Sequence, residues 1–132
     1  KKMKFREFIT SSGKKALAGK NAEQNEELVN QYIGKNNKIF HTSKSGSPFC
    51  VIEKIKYSKK DEKETAIFCA SKSQDWRDNK NDVEVNFFSG EDVYKRKDMK
   101  KGMFGVKRFR IKIIKKKEIE KFLSENISKK SY

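Results

Sequence analysis

The apolar residues of this chain come in runs of no more than five, separated by clusters of Gly, Ser, Asn and charged residues. Runs that short cannot cross a bilayer. They can build short strands and one-sided helices, so the chain must bury its apolar side chains by packing several such elements together. A length of 132 residues suits one domain with one core, and 10 Phe, 4 Tyr and 1 Trp are available to fill it. No segment has the apolar stretch of a secretory signal. Cys50 and Cys69 each lie inside an apolar run. They read as two reduced, buried thiols of a cytoplasmic protein, with a disulfide as the alternative. His41 is the single imidazole, so the ligands for a Cys/His zinc site are lacking. No metal, cofactor or membrane association is expected.

Patterning places the elements. Phe5, Phe8 and Ile9, the cluster Thr10-Ser11-Ser12-Gly13 and then Ala16-Leu17-Ala18 predict a hairpin. Asn21 can cap a helix, with Gln24 completing a capping box. Ala22, Leu28, Val29, Tyr32 and Ile33 follow at helical spacing until Gly34. Asn25 shares that face, so its amide needs buried partners or costs about 1–3 kcal/mol. It reads as structural, fixing a loop from inside. Lys38–His41 and Phe49–Glu53 read as strands around the loop Ser43–Pro48. A second helix starts at Ser58 or Asp61, and Ala66, Cys69, Ala70 and Ser73 give it a face of small side chains, which Trp76 extends. Val83, Val85 and Phe87 alternate with polar residues, which predicts a strand over Asp82–Phe88. Ser89-Gly90 turns, and Val93-Tyr94 gives a short strand.

Phe104 and Val106 share one parity, and Phe109, Ile111 and Ile113 share the other. A side-chain period of two cannot reverse inside a regular strand, so a turn or bulge belongs at Lys107-Arg108. Arg110 and Lys112 then face away from a core side made by Phe109, Ile111 and Ile113. A terminal helix is expected over Lys115–Ile127, with Ser128–Tyr132 frayed. The expected fold is α+β, one domain: a largely antiparallel sheet packed with two main helices and a C-terminal helix, its core at about residues 4–114.

Charge is placed unevenly. The net charge is +15, of which residues 1–20 carry +6, residues 21–96 carry zero and residues 97–132 carry +9. If the two ends meet in space they pool into one cationic face, which draws polyanions and above all nucleic-acid phosphate. The competing reading is a Lys-rich composition that serves solubility. Catalytic equipment is not evident. His41 has no nucleophile and orienting acid at a telling spacing, Cys50 sits among Phe49, Val51 and Ile52 as a core residue would, and Gly13-Lys14-Lys15 to Gly19-Lys20 lacks P-loop spacing. An enzyme would have only His41 with Asn21 and Asn25 for a centre, and no enzymatic activity is expected.

Five blocks, in order, resemble the NFACT-R domain, the RNA-binding module of the NFACT proteins of ribosome-associated quality control. They are Phe5-Arg6-Glu7-Phe8-Ile9-Thr10-Ser11-Ser12-Gly13; Gly19-Lys20-Asn21-Ala22-Glu23-Gln24-Asn25-Glu26; Ile39-Phe40-His41 with Gly46-Ser47-Pro48-Phe49-Cys50-Val51-Ile52, as in archaeal-type members; the Ala-bearing helix from Thr65 to Trp76-Arg77; and Val83-Glu84-Val85, Val93-Tyr94-Lys95 and Gly102-Met103-Phe104-Gly105-Val106-Lys107-Arg108. Asn37-Lys38 stands where the family has an acid, and Lys107-Arg108 where it has a hairpin Gly. The family's N-terminal domain, helix-hairpin-helix and coiled coil are not visible in these residues. The resemblance therefore implies the module's part alone, contact with rRNA or tRNA, with the large ribosomal subunit as a partner, and not tail synthesis. A stand-alone member and an excised fragment both remain open.

The candidate nucleic-acid contacts follow. Lys14, Lys15 and Lys20 bracket the hairpin and helix start, where a phosphate could approach Lys20, Asn21 and Ala22. His41, at a strand end, either hydrogen-bonds phosphate or ribose or is a satisfied half-buried histidine. Arg77 follows Trp76, which either stacks on a base or fills the core. Lys95 and Arg96 follow a short strand. Lys107, Arg108, Arg110 and Lys112 are the foremost phosphate contacts. A DNA-binding or DNA-sensing module, and a protein-interaction module of ribosomal complexes, are the alternatives to RNA.

Overall fold

The structure, a computed structural model, describes residues 4–130. Its first element is the expected hairpin, β1 (Arg6–Ile9) and β2 (Lys15–Ala18). The turn is closed by Thr10, whose N–H donates to the Lys14 carbonyl at 2.8 Å and whose hydroxyl accepts from the Lys14 N–H at 3.0 Å. Helix α1 (Ala22–Asn30) starts at Asn21, whose side chain accepts from the Gln24 N–H. The Gln24 side chain reaches one residue further back than a capping box requires, accepting from the Lys20 N–H at 3.0 Å. Strands β3 (Lys38–Thr42), β4 (Cys50–Ile52) and β5 (Val83–Ser89) follow, with β8 (Arg110–Ile114) last. Together they make one antiparallel six-stranded sheet in the order β1-β2-β4-β3-β5-β8.

Helices α2 (Lys59–Ser71), α3 (Gln74–Asn79) and α4 (Lys116–Lys130) cover one face. Ser58 caps α2 through a complete capping box with Asp61. The other face carries α1 and a two-stranded ribbon, β6 (Val93–Tyr94) with β7 (Gly105–Val106). Strand alternation sorts the central side chains between the two cores. Phe40, Cys50 and Ile52 point to the three helices, while Ile39 and Val51 point to α1 and the ribbon. Both thiols are free and buried, as their place inside apolar runs implied. Among the described residues, no helix is long and apolar enough to cross a membrane.

Trp76 is buried in the helix-side core and is not a surface for a base. Ile119 of α4 is fully buried, so the core takes in the terminal helix. That helix continues through Ser128–Lys130, which were expected to fray; Ser131 and Tyr132 lie outside the described residues.

The turn at Lys107-Arg108 exists, and its cause is a change of sheet: β7 belongs to the ribbon and β8 to the main sheet. The expected core side of β8 is reversed. Phe109, Ile111 and Ile113 are 51%, 51% and 47% exposed, while Ile114 is fully buried. Register explains it. Arg110, Lys112 and Ile114 oppose Phe87, Val85 and Val83, which face the three helices. Lys112 lays its stem there, with Nζ 5.0 Å from the Phe87 ring and 3.6 Å from Glu62. Counting apolar residues finds the wrong face because the ribbon does not extend over the edge strand.

Asn25 ties the layers together. Its Oδ1 accepts from the Phe49 N–H at 3.1 Å, and the Gly19 N–H donates to the Phe49 carbonyl at 3.3 Å. A Cβ on Gly19 would stand 2.2 Å from Asn25 Oδ1, so only glycine fits. Removing the amide leaves a buried N–H unpaired. Asn25→Ala is expected to lower stability by about 1–3 kcal/mol in urea titration, and Gly19→Ala to lower it at least as much.

Candidate nucleic-acid interface

A cleft of about 670 Å³ opens on the face carried by α1 and the ribbon. Four sequence candidates meet there: Lys20 and Asn21 at the start of α1, His41 near the end of β3, and Arg77 on α3. Arg6 from β1 and Lys72 at the end of α2 join them. Its lining includes Arg6, Lys20, Lys72 and Arg77 but no Asp or Glu among the described residues. Arg77 is held in place by bonds from its guanidinium to the Lys72 carbonyl at 3.1 Å and the Gln74 amide oxygen at 2.9 Å.

The floor is aromatic. His41 stacks on Phe49 with ring centroids 4.1 Å apart, and Phe49 meets Phe104 edge-on at 5.5 Å. Burial pushes the His41 imidazole down to about 4, against a backbone hydrogen bond with Thr42 that works the other way. At neutral pH His41 is therefore uncharged and offers hydrogen bonds, not a cation. The loop Ser43–Pro48 forms a hydroxyl-rich rim. Ser47 Oγ accepts from the Thr42 N–H at 3.1 Å, and the Gly46 carbonyl accepts from the Gln74 N–H at 2.8 Å. Ser43 Oγ lies 2.8 Å from Asn86 Oδ1 and 2.6 Å from the exposed carboxylate of Glu84.

Lys95 has a structural task. Its Nζ lies 2.9 Å from Glu26, bonds the carbonyls of Lys100 and Met103, and sits 4.8 Å from the Phe104 ring centroid. Glu26 also accepts from the Gly102 N–H at 2.7 Å. Desolvation raises the Glu26 pKa, but the Gly102 N–H and the Lys95 ammonium outweigh it and leave the carboxyl below its ordinary value. Gly102, at φ +82, packs against Ala22 where a Cβ would stand 3.0 Å from that side chain. This clasp folds the 95–104 segment so that Met103 and Phe104 reach the cleft.

The other candidates lie elsewhere. Lys14 and Lys15 line a separate depression with Lys54 and Lys56, and Lys15 approaches Glu7 at 4.0 Å. Arg96 stands over the Tyr94 ring and pairs with Asp98, and Arg108 pairs with Asp92 at 3.1 Å. Lys107 and Arg110 are exposed near the far edge, and Lys112 is turned toward Glu62. The two charged chain ends do not pool. β1 and β8 are opposite edges of the sheet, about 24 Å apart at ordinary strand spacing. α4 does return to β1, where Phe122 meets Phe8 edge-on at 5.5 Å. However, the groove there is lined by Glu7, Glu64, Glu118 and Glu125, with Lys121 its single lysine. The sequence reading missed Arg6, Lys72, Asn86, Met103, Phe104 and Phe109 as cleft residues. Only the Ser-rich loop beside His41 hinted at them.

A family model of the NFACT protein RNA binding domain matches residues 4–108. The chain belongs to this family. As an NFACT RNA-binding domain it has an RNA-binding module's fold and charge, and the Asn37 departure is explained by its surroundings. The buried Asn37 amide donates to the carbonyls of Ile52 at 3.1 Å and Glu53 at 2.9 Å, which a carboxylate could not do. No curated protein matches the chain. Among solved structures it is similar to the C-terminal part of the fibronectin/fibrinogen-binding protein from Streptococcus suis, with a TM-score of 0.76 at 21% identity. The likeness covers 92% of this chain and 49% of that one, so this NFACT domain spans about half the length of its structural relative.

Two outcomes follow from the site. Glu26→Gln or Lys95→Met should leave the global fold but raise amide exchange across residues 95–104 by an order of magnitude or more, read by hydrogen-exchange mass spectrometry. His41 binds its proton more weakly folded than unfolded. The unfolded chain therefore takes up protons first as pH falls from about 6.5, and stability should fall between there and about 4. The full effect is about 3 kcal/mol, and His41→Gln should flatten that stretch of a urea-stability series. The loss from carboxylates such as Asp61, held low by Ser12 and Ser58, lies at more acid pH.

Proposed function

We propose that this domain binds RNA through the cleft, with rRNA or tRNA as its target and the large ribosomal subunit as a partner, and serves ribosome-associated quality control. The observation that carries the reading is charge segregation. In a chain with 18 acidic residues, the cleft lining holds Arg6, Lys20, Lys72 and Arg77 and no carboxylate. Four glutamates line the groove at the opposite, helical layer. A polyanion approaching the cleft meets cations with no lining carboxylate to repel it. Membership of an RNA-binding family supports RNA as the polyanion. The neutral His41, stacked on Phe49, supports a hydrogen-bonding role toward a ligand.

The test is a filter-binding series with tRNA and with rRNA fragments. About four neutralised phosphates predict an affinity loss of roughly a hundredfold between about 50 and about 200 mM salt. Lys20→Ala with Arg77→Ala should flatten that slope by about two phosphates, more than Lys107→Ala with Arg108→Ala does. Salt-independent binding, or dependence on the Lys107-Arg108 pair alone, would refute the reading.

A further inference from the structure

We infer, on the basis of the RNA-binding reading above, that the cleft receives one unpaired nucleotide of an RNA strand, its base against Phe109 and Met103 and its phosphate toward Lys20 and Arg77. Phosphate attraction alone needs only cations on a convex surface. A recess of about 670 Å³ with an apolar floor is a different object and falls in the size range of small-ligand sites. Phe109 and Met103 line it while 51% and 55% exposed, which leaves large apolar surfaces bare beside the cations. Phe104 is already engaged by Phe49 and by the Lys95 ammonium, so Phe109 and Met103 are the surfaces left for a ligand.

Besides its cations, the cleft lining offers neutral amides and hydroxyls, notably Asn21 and Asn86. A nucleobase has the matching form: a flat apolar face, a hydrogen-bonding edge and an anionic link on each side. In a duplex that face is stacked and hidden, and only phosphates and groove edges are offered. The cleft thus has features a helix cannot use and a splayed nucleotide can.

Fluorescence anisotropy on the full 132-residue chain can decide this. The probes are a labelled RNA hairpin with a single-stranded 3′ tail, the same hairpin with an abasic tail of identical charge, and a blunt hairpin. The intact tail should bind about tenfold more tightly than the abasic one, the scale of one base stacked on an aromatic ring. Phe109→Ala should reduce that ratio to about twofold or less. Should that variant lose its urea transition, Met103→Ala supplies the same comparison. Equal affinity for intact and abasic tails, with salt-dependent binding retained, overturns the nucleotide site and leaves RNA binding intact. Failure to bind any probe overturns both. AMP that displaces the tailed hairpin at the hairpin's own concentration also overturns it, because the recess would then take a free nucleotide.

Discussion

Both backbone polar groups of Phe49 are spoken for by residues from another part of the chain, and the cleft depends on that. Its N–H donates to the Asn25 amide and its carbonyl accepts from Gly19. Phe49 is thereby fixed where β4 begins, and its ring is held under His41 and against Phe104. The next residue of α1, Glu26, reaches in a different direction and holds Lys95 and Gly102. Successive positions on a helix point about 100° apart, so two neighbouring side chains of one short helix position both the floor and the overhanging segment. A nine-residue helix is marginal alone. Here its burial of Leu28 and Val29 against the sheet gives it the rigidity to do this.

Charge follows the same architecture. A net +15 would repel itself uniformly if spread over the surface. Acids sit on both layers but are tied to cations, Glu118 to Lys63 at 2.9 Å and Glu62 to Lys112 on the helical side, Glu26 to Lys95 and Asp92 to Arg108 on the other. Glu64 takes the N–H and hydroxyl of Ser11. The cleft is cationic because its own lining holds Arg6, Lys20, Lys72 and Arg77 and no carboxylate, a local grouping that totals along the sequence did not locate.

Much of the fold was legible because its signals are local. The Thr10–Gly13 turn, the Asn21 and Ser58 caps, the alternation of Val83, Val85 and Phe87 and the break at Lys107-Arg108 each act within a few residues. Asn25 was legible for the same reason, since an amide on an apolar helical face must have a partner inside. What was not legible depends on strand order. Nothing near Arg110 tells whether a layer covers the edge strand, so the majority of apolar side chains pointed to the wrong face. Likewise Lys20, His41 and Arg77 were named singly, but only the order β2-β4-β3-β5 and the placing of α3 bring them to one recess.

The edge strand shows how the same charge serves two ends. β8 pairs only with β5, so its outer backbone groups are open, and Phe109, Ile111 and Ile113 lie bare along one side. An exposed apolar edge of this kind is a template for pairing with another chain. Lys107, Arg108, Arg110 and Lys112 alternate with or precede those side chains. A second copy approaching edge to edge would bring the exposed Lys107 and Arg110 against their own counterparts, and like charges directly opposite one another oppose pairing. A polyanion meets no such barrier. The cations that discourage self-association at β8 leave its apolar side bare, and Phe109 carries that side into the lining of the cleft.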